Sequence, residues 1–552
     1  MERRNFLKHI GAGSAGLIVT TLPAAFFLES CEKSGFLNTK PLSAITSEAV
    51  FSDPALARAS LLTVYGRIPR VFGRNGGIPF DMNTRDSAHS FPWTIVNDLR
   101  NNDYSATTGG DQPQHIWNDT YTYIRQANTF IEGIESSKFD DVTRKTFKAE
   151  GRFLRAVLYL DLYRFFGGVP LITKAQDITS GDALFVKRNT ANETVSFIVK
   201  EFSEAAADLP VKWSGDDRGR AEQGAALGMK ARALLYAASL NNDVALFQQA
   251  SAAAKAVVDL NRYSLYPDYQ KMFFAKSDNN EFIFYYNYTQ QTPGGWPIGG
   301  WALLNAPLSM GAWGGGMPSQ NLADEFEMTD GKLYTESPLY DPKNPYKNRD
   351  PRFEASIYHQ GSTFQGVPFE FFIGGKDYNV NGFTTSGYYI KKGIDENIPD
   401  YYANGGASIT QYDPLLRYAD ILLMYAEAEN EMGNTEEART YVNQVRSRPG
   451  VNMPDLPAGL SIAQMRQKIR HERHIELNLE ESRFHDIRRW GIAVEVSAGP
   501  VYGAYITKNA DGSFTYARQV LNTPTFDAKY KLLPIPQDEI NKNKNLVQNP
   551  GY

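Results

Sequence analysis

The sequence predicts a mainly α chain, a scaffold of helix-turn-helix repeats broken by one long, irregular, loop-rich insert. Three observations carry that expectation. Apolar residues recur at helical spacing in two blocks, about 114–260 and 414–481. In each block two helical stretches are joined by a turn signal, Asn241-Asn242 in the first and Gly433-Asn434 in the second. Between the blocks, over 261–413, the period is lost and short β-like runs alternate with loops.

The start of the chain precedes this fold. Met1-Glu2-Arg3-Arg4 leads into a soft apolar run from Ile10 to Leu28, the pattern of a secretory signal. Arg3 and Arg4, followed by Asn5-Phe6-Leu7-Lys8, resemble the twin-arginine export motif. Leu28-Glu29-Ser30-Cys31 resembles a bacterial lipobox, whose cysteine is lipidated and becomes the new N-terminus. Cys31 is the single cysteine of the chain, so an intramolecular disulfide is ruled out. The expected division is a signal peptide over 1–30, a lipidated tether over 31–50 and a single domain over 51–552.

Ser52-Asp53-Pro54 reads as a helix start, with the helix itself from Leu56 to Tyr65. Residues 66–112, rich in Gly, Asn and Asp, read as long loops. Helices are expected over about 114–136, 142–166, 194–209, 221–240 and 243–260, with Gly167-Gly168-Val169-Pro170 stopping the second. Phe282 to Tyr286 reads as β-like. The repeat pattern resumes at Pro414. Leu415, Ala419, Leu422 and Ala426 mark one apolar helical face, and Arg417, Asp420, Glu427 and Glu431 a more polar one. Gly433 can take the left-handed conformation that stops a helix. Asn434 is then expected to cap the next helix, with Glu437 as the answering carboxylate. Such a pair approaches the ~34-residue tetratricopeptide period and needs neighbouring pairs stacked against it. A further helix is expected over about 462–481, and the tail 532–536 is expected to dock in extended form.

Composition narrows the chemistry. The net charge of -5 gives no footing for nucleic acid. His471-Glu472-Arg473-His474 places its histidines at i and i+3, not the i and i+4 of a zinc-binding helix. The expectation there is an ion-paired polar helix surface, with Glu472, Glu476, Glu480, Arg473 and Arg483 at pairing distance along it. Asp324, Glu325, Glu327 and Asp330 lack the spacing of an EF-hand loop and read as a solvated face or cap. No metal, cofactor or catalytic residue is predicted.

Several stretches, in order, resemble the SusD/RagB family of outer-membrane nutrient-binding lipoproteins. They are FLNTKPLSAITSEAVFSD (36–53), GRFLRAVLYLDLYRFFGGVPLIT (151–173), MPSQNLADEFEMTDGK (317–332), RDPRFEASI (349–357), GYYIKKG (387–393), LLRYADILLMYAEAENEMGN (415–434), IRHERHIELNLEESRFHDIRRWG (469–491) and LLPIPQDEINKNKNLVQNPGY (532–552). The resemblance implies a SusD-like helical scaffold without catalytic activity. It further implies a glycan or other nutrient as ligand, a SusC-like TonB-dependent transporter as partner, and a lipid anchor in the outer membrane.

Sugar rings offer C–H faces to flat aromatics and hydroxyls to amides, carboxylates and guanidinium groups. Trp296, Trp301 and Trp313 fall in the Gly-rich insert and Trp93 in the early loops, so these four are the candidate stacking platforms. Asn83, Arg85 and Asp86 are their candidate polar partners. Trp117, Trp213 and Trp490 sit in or beside the helical framework and are expected to pack. Two other classes stay open on the residues alone: a tetratricopeptide-type scaffold that binds proteins, and a carbohydrate-active enzyme.

Overall fold

A computed structural model describes residues 47–71, 80–89, 105–107, 111–275, 279–287, 300–307, 309, 311–380, 383–384, 386–397 and 412–552. Helix α1 (Pro54–Tyr65) begins where the sequence places it, with the Asp53 carboxylate accepting from the Ala55 amide. The first helical block then runs α2 (Asp111–Ser136), α3 (Asp141–Phe166), α4 (Ala191–Asp208), α5 (Gln223–Asn241) and α6 (Val244–Asp259). Side-chain caps start most of them. Asp140 opens α3, a Thr190–Glu193 capping box opens α4, and Asp243 opens α6. At the α5–α6 turn Asn242 takes the left-handed conformation.

Each helix of this block packs on the next in sequence, from α2 to α6. The array resumes with α7 (Tyr418–Glu431), α8 (Thr435–Arg446) and α9 (Ile462–Glu476), and α6 packs directly on α7. Residues 260–417 therefore loop out of a stack that closes behind them, the arrangement of an insert in a repeat scaffold. Close approach of the layers requires Gly228 on α5. A Cβ there would stand 2.5 Å from Leu416 and 2.8 Å from Ile421.

Three expectations about this second block are corrected. Leu415 and Arg417 are not helical: Tyr412–Arg417 is strand β4, paired antiparallel with strand β2 (Phe282–Asn287), as Leu416 opposite Phe284 shows. Asn434 makes no side-chain cap. Its amide donates to Glu429 at 2.7 Å, while Glu437 accepts from the Tyr425 hydroxyl. The helix expected to reach 481 ends at Glu476. Leu479 and Glu481 adopt left-handed φ of 62° and 59°, and a new helix, α10 (Ser482–Arg489), leaves in another direction.

The insert builds a core of its own from Trp301, Phe326, Phe353, Tyr358, Phe371, Tyr388 and their neighbours. A hairpin of strands β5 (Val501–Lys508) and β6 (Phe514–Asn522) lies against it, with Ala504 and Ile506 in the same core. The tail docks as expected: the Leu533 amide donates to the Phe165 carbonyl at 2.7 Å, and Leu533 and Ile535 are buried.

Insert and scaffold are joined by buried charge. The face of α9 expected to be an ion-paired polar surface is ion-paired but sealed: Glu472 and Glu476 are 1% and 0% exposed. Glu476 meets Arg417 and Arg448 at 2.6 Å each and Arg352 at 2.9 Å. Glu281, at the foot of β2, meets Arg417 at 2.8 Å and Arg448 at 3.0 Å. Glu472 bridges Arg352 and Arg446, and Arg446 reaches Glu327 at 2.8 Å. A second group on the scaffold side links Arg473 to Asp420 and Asp486, and Arg489 to Glu427. Burial favours the neutral form of Glu476, but the three guanidinium groups outweigh it and hold its carboxyl far below the usual range. Periodicity could not separate this face from a wet one, because charged residues at i, i+3 and i+4 look alike whether they face water or a wall of arginine.

Candidate functional site

The early loop and the insert do meet, through backbone pairing. Strand β1 (Ser87–His89) runs antiparallel to β3 (Gly316–Pro318), with Ala88 opposite Met317. Gly316 is required there, since a Cβ would overlap the Met82 thioether and crowd the Asn305 amide. Ser319 fastens the pair. Its hydroxyl donates to the Arg85 carbonyl at 2.6 Å and its amide to the Asp86 carbonyl at 2.8 Å.

The three polar residues expected to face ligand are instead engaged in holding this loop. Asp86 is 8% exposed and lies 2.8 Å from His474 on α9. Burial raises its carboxyl, yet His474 prevails and the net shift is downward. Arg85 donates from Nε and Nη2 to the Pro500 carbonyl, at 3.2 and 3.0 Å. The Asn83 amide donates to the Phe80 carbonyl at 3.1 Å within a single 3-10 turn.

Trp301 also departs from its expected role. It is 1% exposed, and its indole N–H donates to the Lys392 carbonyl at 2.9 Å, so it fills the insert core. The surrounding Gly residues suggest a surface loop, whereas Gly300–Asn305 forms a short helix. Trp313 is half-buried against the same core and keeps part of its surface open. Trp93, Trp296, Cys31, Arg3 and Arg4 lie outside the described residues. Trp117 packs as expected, edge-on to Phe166 with centroids 5.1 Å apart.

A different aromatic cleft is present at the β2–β4 sheet. Tyr285 and Tyr412 meet edge to face, centroids 5.1 Å apart, on adjacent strands. Trp213 faces the same cleft from the α4–α5 connection, half-buried rather than sealed in the core as its framework position suggested. Its indole N–H donates to the Ala221 carbonyl at 2.9 Å, and Arg220 stacks 4.0 Å from its ring centroid. Arg220 is in turn held by Glu150, on α3. Asn279, Asn280 and the exposed Arg218 complete a polar rim. Burial, with Tyr412 adding to it, pushes the Tyr285 hydroxyl up to about 12, so it remains a hydrogen-bond donor at neutral pH. The enclosed recess is about 80 Å³, enough for a substituent but not a ring. A sugar ring therefore has to lie across the mouth, against the aromatic faces.

Among the described residues no group of three or more His, Cys, Asp or Glu side chains is placed to hold a metal ion. Both histidines of 471–474 approach the Glu325 carboxylate, at 3.8 and 3.9 Å, but their closer contacts differ. His471 contacts the Glu325 carbonyl, Glu472 the arginines and His474 Asp86. The acidic residues of 324–330 likewise disperse, Asp324 to Arg518, Glu327 to Arg446 and Asp330 to Ser337. Those carboxylates are spent on separate partners, Glu327 also on Lys468 at 3.5 Å, and form no cage.

Comparison with known proteins now decides the family. Residues 270–552 match the model of the SusD family, and residues 35–235 match one described as starch-binding associating with the outer membrane. The chain belongs to the SusD family. It is 28% identical over 451 residues to SusD-like protein P2 of Formosa agariphila, covering 79% of this chain and 80% of that one. Its fold matches a SusD-like carbohydrate-binding protein of Bacteroides fragilis at a TM-score of 0.78 and 26% identity, over 90% of this chain and 100% of that one. A second SusD-like protein of the same organism matches at 0.77 and 28%, over 93% and 100%. The SusD fold thus accounts for both the helical stack and the insert. Its family is one of carbohydrate-binding proteins associated with the outer membrane.

Proposed function

We propose that this SusD-family chain is a surface lipoprotein that captures an oligosaccharide non-covalently and passes it to a SusC-like TonB-dependent transporter. The observation that carries the reading is the cleft of Trp213, Tyr285 and Tyr412 with its amide and guanidinium rim, in a chain of carbohydrate-binding family. Aromatic faces for C–H patches beside amides for hydroxyls are the chemistry a pyranose needs. Glycoside hydrolysis needs two carboxyl groups flanking one bond. Glu222 is the single carboxylate among the described cleft-lining residues, and it already accepts from the Trp213 amide at 2.9 Å and the Tyr263 hydroxyl at 3.3 Å. That arrangement favours capture over turnover.

Anchoring would come from lipid on Cys31 after removal of residues 1–30. No helix among the described residues is long and apolar enough to cross a membrane. One acyl chain gives only marginal attachment, and a modified lipoprotein cysteine carries more than one. The test has two arms. A glycan array followed by product analysis should show binding with no cleavage; cleavage would make the protein an enzyme, and silence across the array would favour a protein-binding scaffold. Cys31→Ala should leave the outer-membrane fraction in cells lacking the transporter, and retention there would refute the anchor.

A further inference from the structure

A roomier space than this cleft lies elsewhere on the scaffold. It is a groove of about 490 Å³ between α2, the 170–186 connection and helix α11 (Gln537–Lys542). That volume falls in the range of ~300–1,000 Å³ typical of small-ligand sites. Its walls come from three distant parts of the chain and are pinned to one another. Tyr121 donates to the Pro170 carbonyl at 2.8 Å, Arg125 to the Gln176 carbonyl, Asn543 to the Val186 carbonyl at 2.9 Å and Asn545 to the Phe185 carbonyl at 2.7 Å. The groove is therefore preformed.

Its lining combines aromatic surface with positive charge. Tyr121 is half-buried, and Phe185 keeps 41% of its surface exposed. The charged side chains are Arg125, Lys174, Lys542 and Glu539. Lys542 and Glu539 neutralise each other at 2.7 Å. Asp177, at the edge, accepts from the Thr179 amide at 2.9 Å and offsets part of the Arg125 charge. Arg125 spends one nitrogen on Gln176 and keeps the rest, and Lys174 is exposed with no ion pair or hydrogen bond among the described residues. Lys174 in full and Arg125 in part thus give the groove a positive face in a chain whose net charge is -5.

We infer that this groove is a second carbohydrate site, selective for an acidic oligosaccharide whose carboxylate sits between Arg125 and Lys174 and whose ring lies on Phe185. The ligand class rests on the carbohydrate-binding reading above; the location and the charge selectivity do not. An acidic peptide is disfavoured because the wall carbonyls at Pro170, Gln176, Phe185 and Val186, which would pair with an added strand, are already taken.

The test is calorimetric titration of the mature chain with tetragalacturonate, maltotetraose and tetraglutamate, for the wild type and for Lys174→Glu, Phe185→Ala and Tyr285→Ala. Tetragalacturonate should bind, about tenfold or more weaker in Lys174→Glu and in Phe185→Ala, and with unchanged affinity in Tyr285→Ala. It should also weaken as salt rises from about 50 to about 500 mM, as exposed charge pairs do. Maltotetraose should be insensitive to Lys174→Glu. Both groove substitutions are on exposed side chains, so an unaltered thermal melt verifies the fold. Failure of tetragalacturonate to bind, equal affinity in Lys174→Glu, or tetraglutamate binding as tightly would each overturn the inference. Loss confined to Tyr285→Ala would place the acidic sugar in the first cleft and refute the second site. If maltotetraose and the array both fail while tetragalacturonate still responds to Lys174→Glu, the groove stands and the first cleft does not.

Discussion

Arg417 and Glu476 stand 2.6 Å apart, and neither exposes more than 1% of its surface. Arg417 ends the last strand of the insert, and Glu476 ends helix α9 of the scaffold, so their contact fastens one part of the chain to the other. Glu476 serves two further arginines. Removing its charge leaves Arg352, Arg417 and Arg448 crowded and undercompensated. Breaking a buried pair from one side costs about 3–5 kcal/mol. Glu476→Gln should lower unfolding stability by that amount in urea titrations, and a loss below about 1 kcal/mol would show that the arginines find other partners.

Lys392 should leave a signature in alkaline pH. Burial lowers its ammonium most; Glu480, at 2.6 Å, opposes this, Arg417 reinforces it, and the result is a value of about 8 against 10.5 for the free side chain. Between those values the unfolded chain holds a proton that the folded chain has released, so stability rises with pH. Below pH 8 both states are protonated and this slope vanishes. Above about pH 10 the buried tyrosines, whose folded values are raised, reverse the trend. The stability difference between wild type and Lys392→Met should therefore climb in favour of wild type from pH 8 to 10. A flat difference would mean that Lys392 keeps its proton.

On the acid side the carboxyls of Asp420, Glu472, Glu476 and Asp486 are depressed, each by facing arginines that outweigh its burial. Their contribution is complete above the unfolded values of 3.8 and 4.5 and drains away as pH falls through the lower folded ones. Wild-type stability should start to fall near pH 5 and keep falling below pH 3, with a shallower fall in Asp420→Asn. An equal slope in the two proteins would contradict the assignment.

Trp301 and Tyr285 should separate stability from binding. Trp301→Ala removes a sealed indole and its hydrogen bond, a loss of about 3–5 kcal/mol. Tyr285→Ala, at the half-open cleft, should instead weaken glycan affinity by about tenfold, taking stacking as worth about 1–3 kcal/mol. Thermal melts and titrations on both variants decide the matter, and a melting loss in Tyr285→Ala equal to that in Trp301→Ala would make the cleft mere packing.

Asp86→Asn should act at a distance. Exchanging the carboxylate that holds His474 leaves a weaker neutral contact, costing about 1–3 kcal/mol. Backbone exchange at Ala88 and Met317 should speed up in consequence, because the β1–β3 pair is fastened beside it. Unchanged exchange there would show that Ser319 alone holds the loop.

The helices were legible because their caps and apolar spacing are local. Asp53, Asp140 and Thr190 announce their helices within four residues. The strand at 412–417 was not, since Leu415 and Leu416 fit a helix as well as a strand until Phe284, far back in the chain, pairs with them. The β5–β6 hairpin went unread although Asn509-Ala510-Asp511-Gly512 marks its turn between two alternating runs. Site residues were the least legible. Asp86 and Trp301 have the chemistry of ligand contacts, and only their neighbours His474 and Lys392 show that this chemistry is spent internally.

The charge lattice also sets a rule for recombination within the family. Glu281, Arg352, Lys392 and Arg417 on the insert are cut to fit Arg448, Glu472, Glu476 and Glu480 on the other side, like a key to its wards. An insert transplanted from a relative that lacks this set would bring uncompensated charge into a dry interface. Exchange of ligand specificity should therefore succeed by replacing surface loops, whereas exchange of the whole insert should succeed only when both halves of the lattice move together.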